Sequence, residues 1–275
     1  MAGKLEMQAR ELVGKNWSKS SLTREKLLGN IERISHFMEK QGLQKIQDMK
    51  TKHVQRFVQD MQGRSLSSST QAGYLTVLRV MASAIGKQNI VARTNKEYGI
   101  SRAGLRYMPK TANHEKLSDI RQQLYERGHW QGLAFDMQRE FGLRLKESLL
   151  SNKIIEKDGD RYLSVEGGKG GRSREIKIDT EGKNGLVARL HDYLHDHGQK
   201  TIIPPDKTLK QAYDRMSNDV HRCGGLKKLP DGSSANPHAN RHAYAQERLA
   251  DGSSRADVAQ ELGHGREEVV KHYAK

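Results

Sequence analysis

The stretch His238-Ala239-Asn240-Arg241-His242, continued by Leu262-Gly263-His264 and by Tyr273, decides how the rest of this chain is read. His238, Arg241 and His242 follow Pro237 at the spacing of one helical face, so they open a helix and share one side of it. The glycine of Leu-Gly-His ends a helix and turns His264 toward its neighbours. Well upstream, Gly142-Leu143-Arg144-Leu145-Lys146-Glu147 supplies a second arginine just after another helical run. Two arginines, a pair of histidines and a tyrosine are the parts needed to cut a phosphodiester without a metal. The planar guanidinium holds phosphate oxygens with two bonds and keeps its proton. Lysine or histidine can pass a proton to the leaving oxygen. Fixed cations and donors stabilise the five-coordinate phosphorus, while a phenol of reference pKa about 10 must be activated as the nucleophile.

The bulk properties point to a polyanionic partner. The 275 residues carry a formal charge of +15, with only 35% hydrophobic and 5% aromatic residues; the isoelectric point is about 9.8. Nucleic acid is the commonest partner of such a chain. The excess is concentrated. Residues 1–110 hold 20 Lys and Arg against 8 Asp and Glu, whereas residues 111–275 hold 28 against 25. A basic N-terminal half suggests a DNA-gripping module joined to something with a different job. Cys223 is the only cysteine, which excludes an intramolecular disulfide and suits a reducing, cytoplasmic setting. No long apolar run marks a signal peptide or a membrane span.

Helical periodicity recurs over residues 22–40 (Leu27, Leu28, Ile31, Ile34, Met38, with Thr23 as N-cap), 51–62 (Val54, Phe57, Val58, Met61) and 68–86 (Leu75, Leu78, Met81, Ile85). Gly42 and Gly63 punctuate these runs, and Ser65-Leu66-Ser67-Ser68-Ser69-Thr70 precedes the third. Residues 87–112 lose the period and read as a terminal turn and a linker. Trp130, Leu133, Ala134, Met137 and Phe141 then form a stripe ending at Gly142. Over 160–178, Leu163 and Val165, then Ile176 and Ile178, alternate with polar neighbours around Gly167-Gly168-Lys169-Gly170-Gly171, predicting a hairpin or small meander. Helices follow near 183–197, 207–222, 238–250, 254–262 and 266–273. The expected architecture is mainly α with a small antiparallel β-sheet: a helical domain over 1–98, a linker over 99–112 and an α+β domain over 113–275.

Each candidate residue has an ordinary reading when taken alone. Arg144 is a surface arginine paired with Glu147, Lys169 lies in an exposed turn, and Tyr273 is one of nine tyrosines. His238 and His242 stand four apart, as a metal pair would, but no third ligand at suitable spacing follows and zinc ranks low.

Taken in order, Arg144, Lys169, His238 with Arg241, His264 and Tyr273 resemble the tyrosine recombinases, the phage integrase family of DNA breaking and rejoining enzymes. The His-x-x-Arg-His run and Leu-Gly-His followed nine residues later by Tyr273 are specific; the glycine–lysine hairpin is not. The resemblance covers most of the chain and implies a two-domain architecture, with a helical core-binding bundle and a catalytic domain clamping duplex DNA. It implies that Arg144 and Arg241 clamp the scissile phosphate, that Glu147 supports Arg144, and that His264 donates to the phosphate. Lys169 and His238 would move protons, with Arg172 and Arg174 as competitors for the lysine's place. His242 would be structural, and Tyr273 the nucleophile.

The implied activity is site-specific recombination through a 3′-phosphotyrosyl intermediate and a Holliday junction. Integration or excision of a mobile element is favoured over chromosome-dimer resolution. The implied partners are inverted-repeat sites in double-stranded DNA, a homotetramer on two such sites, and accessory DNA-bending or directionality factors. No metal, ATP or other cofactor is expected, no membrane, and a nucleoid-associated place in the cytoplasm. Two rivals stand beside this: a type IB topoisomerase, which shares the chemistry but relaxes DNA without site preference, and an architectural DNA-binding protein with an inactive site, which forms no covalent adduct.

Three departures from the family pattern stand out. Asn240 occupies a place usually held by Leu, so packing of that helix is expected to differ. The chain stops two residues after Tyr273, short of the C-terminal helix with which many members dock on a neighbour. Little precedes the first bundle helix, so a separate arm-site DNA-binding domain is expected to be absent.

Overall fold

The computed structural model describes residues 3–14, 21–101, 111–167 and 172–273, the side chains of residues 21–23 excepted. It is mostly helical with one three-stranded antiparallel sheet, and it divides into two compact units, Met1–Gly104 and Leu105–Lys275.

The first unit is a bundle of α1 (Lys4–Gly14), α2 (Ser21–Lys40), α3 (Thr51–Gly63) and α4 (Ser68–Ala84). The residues of the helical stripes, among them Ile31, Ile34, Met38, Val54, Met61, Leu75 and Leu78, form its core. Phe37, Phe57 and Tyr74 meet edge to face at 5.1 and 5.5 Å, the geometry their ring quadrupoles favour. Ser67 caps α4 by accepting from the Thr70 backbone N–H at 3.2 Å, which explains the serine-rich run ahead of it.

Three sequence expectations are corrected here. Helix α1 precedes the first expected helix; Leu5, Ala9 and Val13 recur every fourth residue and are buried against α2 and α4. Helix α2 starts at Ser21, so Thr23 lies within the helix rather than capping it. The first residues of the expected 99–112 linker pack with the bundle: Ile100 is buried in its core beside Ile90 and Val91 of the terminal turn, and Arg79 fixes that turn by donating to Ala92 O and Asn95 Oδ1, both at 2.9 Å.

The second unit is organised around α6 (His129–Glu140), in which every residue from Trp130 to Gln138 is buried. Packed on it are α5 (His114–Arg127), which the sequence reading passed over, α7 (Leu145–Leu150), α8 (Glu181–Asp196) and α10 (Pro237–Ala250). Asp136 on α6 ties the layers, accepting from Arg121, from the Tyr125 hydroxyl at 2.8 Å and from Arg189 at 3.0 Å. Helices α9 (Leu209–Arg222) and α11 (Arg255–Glu261) and a 3₁₀ turn at Glu267–His272 complete the unit.

The sheet runs β1 (Lys153–Lys157), β2 (Asp160–Val165), β3 (Arg174–Lys177) in sequence order. It is a meander, with Leu163 opposite both Ile154 and Ile176, and Val165 opposite Arg174. Strand β1 lay outside the predicted 160–178 segment. It joins β2 through Asp158-Gly159, both at positive φ, as a two-residue hairpin requires. Lys169 and the glycines at 168, 170 and 171 lie outside the described residues.

Candidate active site

Helix α10 sets the site's floor. The Asn236 side chain accepts from the His238 backbone N–H at 2.8 Å, and Pro237 occupies the first turn, where its missing N–H costs nothing. Residues Ala239–Ala245 are all buried, so small side chains bring the helix close to α6. His238, Arg241 and His242 share one face of this helix.

Arg241 is completely buried. Its Nη1 donates to Gly142 O at 2.6 Å, its Nη2 donates to Leu262 O and faces His264 Nε2 at 3.2 Å, and its Nε faces the Tyr273 hydroxyl at 3.4 Å. One guanidinium thus joins the turn before Arg144, the Leu-Gly-His turn and Tyr273. Burial pulls its pKa down, yet an arginine side chain keeps its proton in proteins.

Gly142 makes that convergence possible. Its φ is +59°, and a Cβ there would lie 2.5 Å from Tyr244 Cδ1 and 2.9 Å from Leu262 Cδ2. After it, Arg144 stands at the N-cap of α7. The Glu147 carboxylate accepts from the Arg144 backbone N–H at 2.9 Å and from its Nη1 at 2.7 Å. Arg144 keeps about a third of its side chain in solvent, at 36%, whereas Glu147 is buried. Burial alone would raise the Glu147 carboxyl; the hydrogen bond and charge of Arg174, then the Arg144 backbone and side chain, outweigh it and hold the pKa down at about 2.

The Leu-Gly-His turn is the C-terminus of α11 closed by a Schellman motif. His264 N–H donates to Ala259 O and Gly263 N–H to Gln260 O, both at 2.8 Å. The carbonyls left over are taken by arginines: Glu261 O by Arg174 Nε at 2.5 Å, Leu262 O by Arg241 Nη2. His264 is thereby aimed at Tyr273, with Nε2 3.0 Å from the hydroxyl. Burial lowers its pKa to about 4, helped by the charges of Arg241, Arg144, Arg174 and His238. The ring is neutral at pH 7.

Tyr273 is 5% exposed and packs with Tyr244, Ala245, Val258, Leu262 and Val270. Gln246 donates to its carbonyl at 2.8 Å. Its ring lies 4.7 Å from that of His242 and 6.1 Å from that of His238. Beside Arg144 and His238 a cleft of 790 Å³ opens between α7, α9 and the start of α10, lined also by Tyr213, His221 and Lys227.

The structure thus brings Arg144, Glu147, His238, Arg241, His242, His264 and Tyr273 together, while Lys169 falls outside the described residues. Among the described residues no group of three or more His, Cys, Asp or Glu side chains is placed to share a metal ion. Asn240 is buried, and neither polar atom of its side chain has a hydrogen-bond partner among the described residues. The sequence reading missed the structural use of Arg174, which it had weighed only as a substitute for Lys169. The signal was present: Arg174, Ile176 and Ile178 alternate with polar neighbours, so the arginine shares the inward face of β3.

Comparison with known proteins adds the family. The model of the family described as Integrase matches residues 99–247, a span that holds Arg144, Glu147, His238 and Arg241 and ends before His264. Tyrosine recombinase XerA of Pyrococcus furiosus is 25% identical over 272 residues, covering 92% of each chain. Among solved structures, a lambda integrase dimer bound to a core site superposes with a TM-score of 0.69 at 18% identity, over 100% of this chain and 96% of that one. The XerH recombinase in a post-cleavage complex with its difH substrate gives 0.68 at 18% identity, over 98% and 80%.

Proposed function

The chain belongs to the integrase family, the tyrosine recombinases, and from that premise we propose that it exchanges DNA strands at specific inverted-repeat sites with Tyr273 as nucleophile. The phenol oxygen attacks the scissile phosphorus, the bond from phosphorus to the 5′ oxygen breaks, and the products are a 3′-phosphotyrosine and a free 5′-hydroxyl. Arg144, Arg241 and His264 hold the phosphate, Glu147 keeps Arg144 in place, and Lys169 and His238 carry protons. The 5′-hydroxyl of a partner strand then reverses the step. One ester replaces another throughout, so the chemistry asks for neither ATP nor a metal.

Exchanging both strands of two duplexes in turn calls for four subunits and passes through a Holliday junction. The setting we infer is integration or excision of a mobile element in the nucleoid, directed by accessory DNA-binding proteins. Among the described residues no helix is long and apolar enough to cross a membrane.

The observation that carries this reading is the meeting of residues far apart in sequence: the Tyr273 hydroxyl within 3.0 Å of His264 Nε2 and 3.4 Å of Arg241 Nε, on a guanidinium anchored at Gly142 O. The test is capture of protein-linked DNA. The protein is incubated with fragmented genomic DNA in EDTA, denatured with SDS, and the DNA attached through its 3′ ends is sequenced. The expected result is adducts clustered at one sequence and absent from Tyr273→Phe. Scattered adducts would show topoisomerase chemistry, and retained DNA binding with no adduct would point to an architectural protein.

A further inference from the structure

We propose that Arg174 is a positioning residue for strand cleavage, a buried strut that fixes Arg144 on one side of the phosphate site relative to His264 and Arg241 on the other. The proposal rests on the reading of Tyr273, Arg144 and Arg241 given above.

The geometry is specific. Arg174 is on β3, and its side chain is only 3% exposed. Nη2 donates to Glu147 Oε2 at 2.9 Å, the same oxygen that accepts the Arg144 backbone N–H. Nε donates to Glu261 O at 2.5 Å, at the end of α11 that presents His264. One side chain therefore spans two segments that Arg241 also joins, through the adjacent carbonyl of Leu262 and that of Gly142.

Gly263 is fitted to the same strut. Its φ is +65°, and a Cβ there would meet Arg174 Nη1 at 3.0 Å and Cδ at 3.3 Å. The site thus contains two parallel arginine braces. Arg241 faces the Tyr273 hydroxyl; Arg174 lies behind, and its Nη1 is buried against the glycine.

Burying a guanidinium and a carboxylate, each 3% exposed, is expensive, and such a pair is often no more stable than an apolar replacement. A long aliphatic side chain would fill the space, but it could not hold Glu147 or the α11 carbonyl. The two bonds that distinguish an arginine here both end on groups that orient proposed phosphate ligands.

The experiment uses the full chain with Arg174→Lys and Arg174→Met, and a random-sequence duplex library as the DNA. SDS-resistant adduct is measured from pH 4 to pH 8, alongside DNA binding and thermal melting. In the free protein the Glu147 carboxyl is titrated by carbon NMR. The charged groups facing that carboxyl are Arg174 from β3 and Arg144 from its own segment, with Lys146, Lys153 and Glu166 along the neighbouring cleft.

The expected result for Arg174→Lys is a folded protein that binds DNA within about twofold of wild type and forms adducts about 10- to 100-fold more slowly, as a displacement of about 1 Å can cause. The acid limb of its rate profile moves to higher pH, because Glu147, held at about 2 in the wild type, protonates more readily without its main partner. Arg174→Met moves both further; should it fail to fold, the lysine variant still decides. Wild-type rates and an unmoved Glu147 titration in Arg174→Lys overturn the proposal, as does a loss that merely tracks the folded fraction at every pH. If wild-type protein forms no adduct, the assignment of Tyr273 fails, and the titration still reads the Arg174–Glu147 coupling separately.

Discussion

The two units of this chain have cores of opposite kinds. The bundle is held by Ile31, Ile34, Met38, Leu75 and their neighbours, with Glu6, Ser35, His53 and Gln71 the polar residues buried among the described ones. The second unit buries Arg174, Arg241, Lys183, Glu147, Asp136 and Asp219 as well as its apolar residues. An apolar core is specified by volume and pattern, and tolerates exchange of one hydrophobe for another. A charged core is specified bond by bond, since each buried charge needs its own partner. The first design builds a platform; the second fixes the direction in which particular side chains point.

The sharpest way to break the contrast is to remove one arginine from each edge of the site. Arg241→Ala is expected to abolish adduct formation and also to destabilise the protein by about 3 kcal/mol or more, because the Gly142 and Leu262 carbonyls lose their buried donor. Arg144→Ala, at a side chain 36% exposed, is expected to abolish adducts with little change in melting. Equal melting of the two variants would contradict the brace role of Arg241.

Next in size is the matching change in the bundle. Ile31→Ala, at a fully buried position, is expected to cost about 2–5 kcal/mol and to leave the rate of adduct formation per bound protein unchanged. A rate that falls with stability would mean that the platform shapes the site.

Acid should discriminate the units as well. His264 has a folded pKa of about 4 against an ordinary 6.5, so the unfolded chain takes up its proton first as the pH falls. Its contribution to stability is complete above 6.5 and is lost as the pH falls toward 4. Below 4.5 the Glu147 contribution begins to go too, and is lost as the pH falls through about 2. His264→Gln is expected to flatten the melting profile between pH 6.5 and 4; an unchanged slope would remove His264 as its source. The smallest expected effect is a gain. Asn240→Ala removes two buried polar atoms that have no partner among the described residues from a helix interior and is expected to add about 1 kcal/mol, seen as a higher melting temperature.

What could be read from the sequence divides along the same line. Periodicity located α3 and α4 and nearly all of α2, because helices packed on one apolar face carry a strong period. It passed over α1, whose stripe of Leu5, Ala9 and Val13 is thin, and α5, which buries only Leu117, Ile120 and Leu124 in a polar segment. Strand β1 escaped because its burial does not alternate cleanly, although Asp158-Gly159 marked its turn. In the site, the residues that the sequence singles out are those with distinctive local spacing. Arg174 was not recognised as a brace, because its partners, Glu147 and the carbonyl of Glu261, lie 27 and 87 residues away.

The Tyr273 hydroxyl lies against Arg241 and His264, the groups proposed to receive the phosphate. Ligand entry is then an exchange: the phosphate gains only the difference between its own hydrogen bonds and those it displaces. A free phosphate ion should compete poorly on those terms. A phosphate inside a long duplex does not depend on that difference alone, since contacts along the rest of the DNA can bear the cost of opening the site. The enzyme so built would ignore stray phosphoesters and respond to the length and sequence of the DNA on either side of the one bond it cuts.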